Sequence, residues 1–118
     1  MTNLTMLTNI WSDVLTERDR QETLKAAGKF PYTCADPELF HSERALILSE
    51  EVGEVARAIL NDLKFATDGR PPNLRQELIQ VMAVSLAWIE ALDDAARQHM
   101  MASDSTIQER EKSVRKRA

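Results

Sequence analysis

Ser49-Glu50-Glu51-Val52-Gly53-Glu54-Val55-Ala56-Arg57-Ala58-Ile59-Leu60-Asn61-Asp62, followed after a break at Asp68-Gly69-Arg70-Pro71-Pro72 by Asn73-Leu74-Arg75-Gln76-Glu77-Leu78-Ile79-Gln80 and an apolar run to Ile89, is the stretch that decides the fold. Both segments carry helical periodicity, and both place carboxylates beside or inside an apolar stripe. Leu48, Val52, Val55, Ile59 and Leu63 recur at the 3.6-residue period and predict one face of a helix. At 100° per residue Glu51 falls about 60° to one side of that stripe, with Glu54 and Glu50 further round among Ile47 and Ala58. In the second segment Glu77 shares a face with Val81, Val84 and Trp88, and Gln80 follows three residues later. A carboxylate there needs a proton, a partner or a cation, because an uncompensated buried charge costs several kcal/mol. No base lies within a turn on its own stripe, and Arg75 points elsewhere.

Working outward, residues 3–27 predict a first helix through Leu4, Leu7, Ile10, Trp11, Val14 and Leu15, ended by Gly28 with Pro31 beyond it. Glu17 to Glu22 reads as a solvated, charge-laced face. Lys29 to Pro37 is irregular chain, a loop whose Phe30 and Tyr32 either line a pocket or pin the loop to the bundle. Nothing places a base beside Cys34, which argues against a catalytic thiol. Asp36 is a candidate N-cap with Pro37 at the first helical position, and the helix it opens runs to about Lys64. Gly53 inside that helix suggests either the close approach of a backbone or ligand, or drift. Asn73 is the candidate N-cap of the third helix, with Gln76 at the capping-box position. The Leu78–Ile89 run implies a helix surrounded on most sides. Beyond Leu92 the chain turns polar, and residues 103–118 read as a charged tail, either a frayed helical extension or disordered, after a helical domain at 1–102.

The 118 residues suit one domain of modest core, and three Gly with abundant Ala, Leu, Glu and Arg indicate helix. The expectation is an all-α antiparallel bundle of three main helices plus a C-terminal extension, completed by oligomerisation. A net charge of −4 argues against nucleic acid as partner, despite the basic Arg110–Arg117 tail. A single cysteine excludes an internal disulfide and fits a reduced, cytoplasmic chain. The N-terminus is unlike a signal peptide, and no apolar run is long enough for a membrane span.

Glu50, Glu51 and Glu54 lie three and four residues apart, so their carboxylates can converge on one helix face, or can simply be its solvated side. Antiparallel packing brings Glu77 toward them if the two helices are offset, or if the second ends near Asn61. Oxygen ligands without His or Cys suit Mg²⁺ or Mn²⁺, whose usual business is phosphate chemistry.

Glu50-Glu51-Val52-Gly53-Glu54 followed by Glu77 resembles the EExxE…ExxD pattern of the MazG-like all-α nucleotide pyrophosphohydrolases, over roughly Glu43 to Leu92. The resemblance implies a helical bundle forming homodimers or homotetramers. It also implies Mg²⁺-dependent cleavage of a nucleoside triphosphate to monophosphate and pyrophosphate. Carried over, it makes Glu50, Glu51, Glu54 and Glu77 metal ligands, with Glu50 the candidate general base. Lys25 and Lys29, with Gln80, are the candidate substrate-binding side chains. Gln80 stands where the pattern has its aspartate; its amide offers a carbonyl oxygen but no charge. Asp62 and Glu43 are candidate substitutes, and a catalytically weakened nucleotide-binding module is the alternative reading.

Overall fold

The computed structural model describes residues 3–65 and 73–117, the side chains of 62–65 excepted. They form three helices: α1 (Leu4–Ala26), α2 (His41–Phe65) and α3 (Leu74–Arg117). Among the described residues there is no strand, and no helix is long and apolar enough to cross a membrane.

The α1 boundaries follow local chemistry. Asn3 caps the N-terminus, its Oδ1 accepting from Met6 N at 3.0 Å. At the other end Gly28 adopts φ 74°, Gly28 N donates to Lys25 O and Lys29 N to Leu24 O, the paired bonds of a Schellman turn. Glycine suits this position because a Cβ is penalised in the left-handed region.

The expected Asp36 cap is displaced. α2 begins at His41, and Phe40 stands in the capping place: Glu43 N and Arg44 N donate to its carbonyl, and Phe40 N donates back to Glu43 Oε1 at 2.9 Å. Asp36 instead closes the preceding turn, accepting from Thr33 N at 3.1 Å and pairing with Lys25. Asn73 precedes α3 with φ 70°, a left-handed geometry that Asn tolerates, rather than the extended geometry of an N-cap.

Helix α3 is the spine. α1 and α2 each pack on it, with no close backbone approach between α1 and α2. Against α1, Val14 meets Ile79 and Ala83, bordered by Ile10, Met82 and Leu86. Against α2 and the loop, Val84 and Ala87 meet Cys34, bordered by Ala35, Ile47, Leu48 and Trp88. α2 runs antiparallel to α3, as expected, and α2 continues to Phe65 rather than ending near Asn61. The offset that lets Glu51 reach Glu77 is therefore an overhang of α2 past the start of α3. The Asp68–Pro72 break and the side chains of Asp62, Leu63 and Lys64 lie outside what is described.

Three further expectations change. The packed face of α2 is Arg44, Ile47, Leu48, Glu51, Val55 and Ala58, rotated by about 60–70° from the aliphatic stripe at 100° per residue, leaving Val52 and Ile59 exposed. Gly53 faces open space, a Cβ there meeting nothing within 4 Å, so no close approach explains it. α3 is not surrounded, since Leu78 and Ile89 are about half exposed. Of the two readings of the tail the helical one holds: α3 runs unbroken through residues 102–103 to Arg117, so residues 103–117 belong to the distal half of a 44-residue helix.

Candidate functional site

Because α1 and α2 do not meet, a cleft of about 290 Å³ opens between them over α3. Its floor is Gln80 and Val84. Glu17, Arg20 and Gln21 form one wall, Ile47, Glu50 and Glu51 the other, and Phe30, Pro31 and Tyr32 the lip. Of the two readings of the 29–37 loop, the first holds: Phe30 and Tyr32 line the cleft, and although the loop is fixed to the bundle, these exposed rings are not what fixes it.

The pinning is polar. Arg44 is buried and donates from Nε to Cys34 O at 2.9 Å and from Nη2 to Asp36 O at 2.7 Å. Thr33 Oγ1 donates to Glu22 Oε1 at 2.8 Å. Burial pushes the Glu22 carboxyl up, but the bonds from Thr33 and Arg18 outweigh it and leave its pKa lowered. Cys34 sits beneath this loop, buried, with burial pushing its thiol up. That is the environment of an inert cysteine, and it removes Cys34 from the chemistry.

Glu51 is the centre of the site. It lies half-buried in the middle of the packed face of α2. Burial, followed by the charges of Glu77, Glu54, Glu17 and Glu50, pushes its pKa above the usual carboxylate range. Gln80 lies between the two helices. Its amide group faces two carboxylates, which fixes the nitrogen toward them: Nε2 donates to Glu77 Oε2 at 2.9 Å and to Glu51 Oε2 at 3.2 Å. Glu77, expected to need a partner, has one in this amide. Arg75 is turned away onto Asp13 at 2.6 Å.

The wall from α1 is what the sequence reading missed. Glu17, Arg18 and Gln21, assigned to a solvated face, are all buried. Arg20 grips Glu17 through a two-point fork, Nε to Oε2 and Nη2 to Oε1, both at 2.7 Å. That bond, opposed by burial and helped by Glu17 and Glu51, raises the Arg20 pKa. Arg18 pairs with Glu22 at 2.6 Å and Glu90 at 2.8 Å, while its Nε and Nη1 find no partner among the described residues. Glu90 is 72 positions from Arg18, and no local spacing could have revealed that pair.

The expected site residues therefore divide. Glu50, Glu51 and Gln80 line the cleft. Glu77 joins them through Gln80, and Glu54 stands beside Glu51 with Arg57 at 3.5 Å. Lys25 is taken up by Asp36 and Lys29 is exposed; neither lines the cleft, where the cation is Arg20. Among the described residues no three His, Cys, Asp or Glu side chains converge closely enough to enclose a metal ion. The donor set suits a hard cation in part. Glu51 and Glu77 carry surplus negative charge, and a rotation of Gln80 would present its carbonyl oxygen between them.

Comparison of the chain with protein-family models, with curated proteins and with solved structures returned no match.

Proposed function

We propose that the chain is an Mg²⁺-dependent nucleoside triphosphate pyrophosphohydrolase of the MazG-like type, releasing pyrophosphate and a monophosphate. The observation that carries the reading is Glu51, a carboxylate placed in the middle of a packing face, crowded by four others and opening onto a cleft. A folding domain gains nothing from that arrangement, whereas a cation-dependent site does. Glu51, Glu77 and the Gln80 carbonyl would hold Mg²⁺ or Mn²⁺, with Glu50 and Glu54 completing its negative surroundings. Held there, the ion supplies charge neutralisation on phosphate oxygens and a more acidic water. Glu50, exposed on the cleft wall, would be the group to take a proton from a water held there. Arg20 is the cation available to the phosphates, and Phe30 or Tyr32 offers a face to a base.

Gln80 favours a second reading. In the arrangement present, its amide N–H groups satisfy both carboxylates without a cation, as expected of a nucleotide-binding module with weakened turnover.

We also assign the chain to a homodimer or homotetramer. Leu4, Leu7, Trp11 and Leu15 make an exposed apolar row on α1 beside the face that packs on α3.

Calorimetry with Mg²⁺ and Mn²⁺ on the wild type and on Glu77→Gln, followed by a pyrophosphate-release screen across nucleoside triphosphates, tests the reading. Metal binding lost in the variant, with release from any nucleotide, is the expected result. Metal or nucleotide binding without release supports the weakened module, and no binding of either overturns both.

A further inference from the structure

The distal half of α3 leaves the bundle and projects alone: from Ala95 to Arg117 every residue is exposed, and the molecule extends 82 Å along its longest axis. A lone helix of this kind has no tertiary packing to support it, yet its sequence is not polar all round. Ile89, Leu92, Ala96, Met100, Ser103, Ile107 and Val114 fall within about 80° of one another at 100° per residue. Met100, Ile107 and Val114 are spaced by seven and are 67%, 53% and 68% exposed. The row starts on the face of α3 turned away from the buried Ala83, Ala87 and Ala91, and small side chains alternate with large ones along it. Arg110 falls in the same sector, so the row is a sparse heptad stripe, Met100, Ile107 and Val114 at one position with Ala96, Ser103 and Arg110 at the other, and none of the described residues covers it.

Charge says what covers it. From residue 90 to 104 the helix carries Glu90, Asp93, Asp94 and Asp104 against Arg97 alone. From 105 to 117 it carries Arg110, Lys112, Arg115, Lys116 and Arg117 against Glu109 and Glu111. The last basic turn complements the helix dipole, but that accounts neither for the acidic proximal half nor for the apolar row between them. A second copy laid parallel would set acid on acid and base on base. Laid antiparallel about a two-fold axis near Ser103, it sets Asp93 and Asp94 beside the partner's basic end, and Met100 opposite the partner's Ile107. The two bundles then sit at opposite ends of the paired arms.

We propose that residues 93–117 form an antiparallel self-association arm, in which the acidic proximal half of one copy pairs with the basic distal half of another. This deepens the homo-oligomer assigned above by naming a contact separate from the α1 row, and it does not depend on the hydrolytic reading.

The test is sedimentation of the full chain across concentration. Lys112→Glu, Arg115→Glu and Lys116→Glu together turn the distal half of the arm net acidic, like its proximal half, with Arg110 and Arg117 left in place. They are expected to weaken arm pairing at least tenfold, lowering the assembly by one step of association. Adding Asp93→Lys and Asp94→Lys to that variant restores complementarity only in the antiparallel arrangement, and is expected to restore the wild-type mass. Ile107→Asp with Val114→Asp, both at solvent-exposed positions, is expected to lower the mass as the first variant does, with helical circular dichroism retained. The proposal is overturned if these variants all sediment as the wild type does. It is equally overturned if the charge reversals change only a salt-dependent retention on DNA, which would make the arm a nucleic-acid handle. If a Trp11→Asp variant dissociates the protein while the arm variants do not, the homo-oligomer stands and the arm contact falls.

Discussion

Replacing Glu51 by Gln is the substitution that most directly tests the crowding of the acidic cleft, because it leaves shape intact and removes one charge. Glu51 Oε2 and Glu77 Oε2 both accept from the Gln80 nitrogen, at 3.2 and 2.9 Å. They are therefore at most about 6 Å apart, where two unit charges at an effective dielectric of 20 repel by about 3 kcal/mol. Solvent reaching the half-buried pair reduces this to about 2 kcal/mol, and exchanging a charged acceptor for a neutral one at Gln80 returns about 1 kcal/mol. The net expectation is that Glu51→Gln stabilises the metal-free protein by about 1 kcal/mol at neutral pH, a rise of about 3–4 °C in melting temperature. The sign with pH follows from the raised Glu51 pKa. The folded state holds that proton more tightly than the unfolded chain, so wild-type stability falls as pH rises from the ordinary carboxylate value through the raised one. The advantage of Glu51→Gln is thus full above the raised value and vanishes below the ordinary one, where wild-type Glu51 is itself protonated. Thermal melts of both proteins in chelator, from acid to neutral pH, measure this. A variant that is less stable than wild type at neutral pH would refute the crowding argument, since Glu51 would then be holding the fold through a partner.

Gly53→Ala should stabilise by about 1 kcal/mol in urea, since the new methyl meets open space and the helix loses its most flexible residue; a loss of stability would mean that something approaches Gly53. Arg44→Met strips the partner from two buried carbonyls and should cost about 3 kcal/mol, with Cys34 becoming accessible to a thiol reagent under native conditions; an unreactive Cys34 would show that the loop is held by other contacts. Gln80→Asp should lower metal-free stability while tightening Mg²⁺ binding by about tenfold in calorimetry, and unchanged affinity would remove Glu51 and Glu77 from the cation site.

What could be read from the sequence depended on whether the partner was near or far along the chain. The α1 terminus was legible because Gly28 and Pro31 act within a turn of themselves. The approach of Glu77 to Glu51 was legible as what antiparallel helices with an offset allow, whereas the Gln80 amide that bridges them was not. The rotation of α2 was not, because aliphatic residues alone defined the expected stripe. The true face includes Arg44 and Glu51, whose burial is permitted by Cys34 O, Asp36 O and the Gln80 amide. Glu17, Arg18 and Gln21 were misplaced for the same reason: charge reads as solvent exposure until the remote partner, such as Glu90, is known. Asp36-Pro37 looked like a helix start because both residues favour one, and the competing demand, closing the Thr33 turn, was equally local but not distinguishable from it.

The two apolar clusters share a helix but no side chain: one belongs to α1 with Ile79 and Ala83, the other to α2 and the loop with Val84 and Ala87. The walls of the cleft are thus fastened to opposite flanks of one beam by separate glue lines. No buried apolar side chain bridges one wall to the other, and the ties from α1 to the loop that leads into α2 are polar, Lys25 to Asp36 and Thr33 to Glu22. Each wall therefore answers to its own joint, and a substitution that loosens one fastening leaves the other as it was.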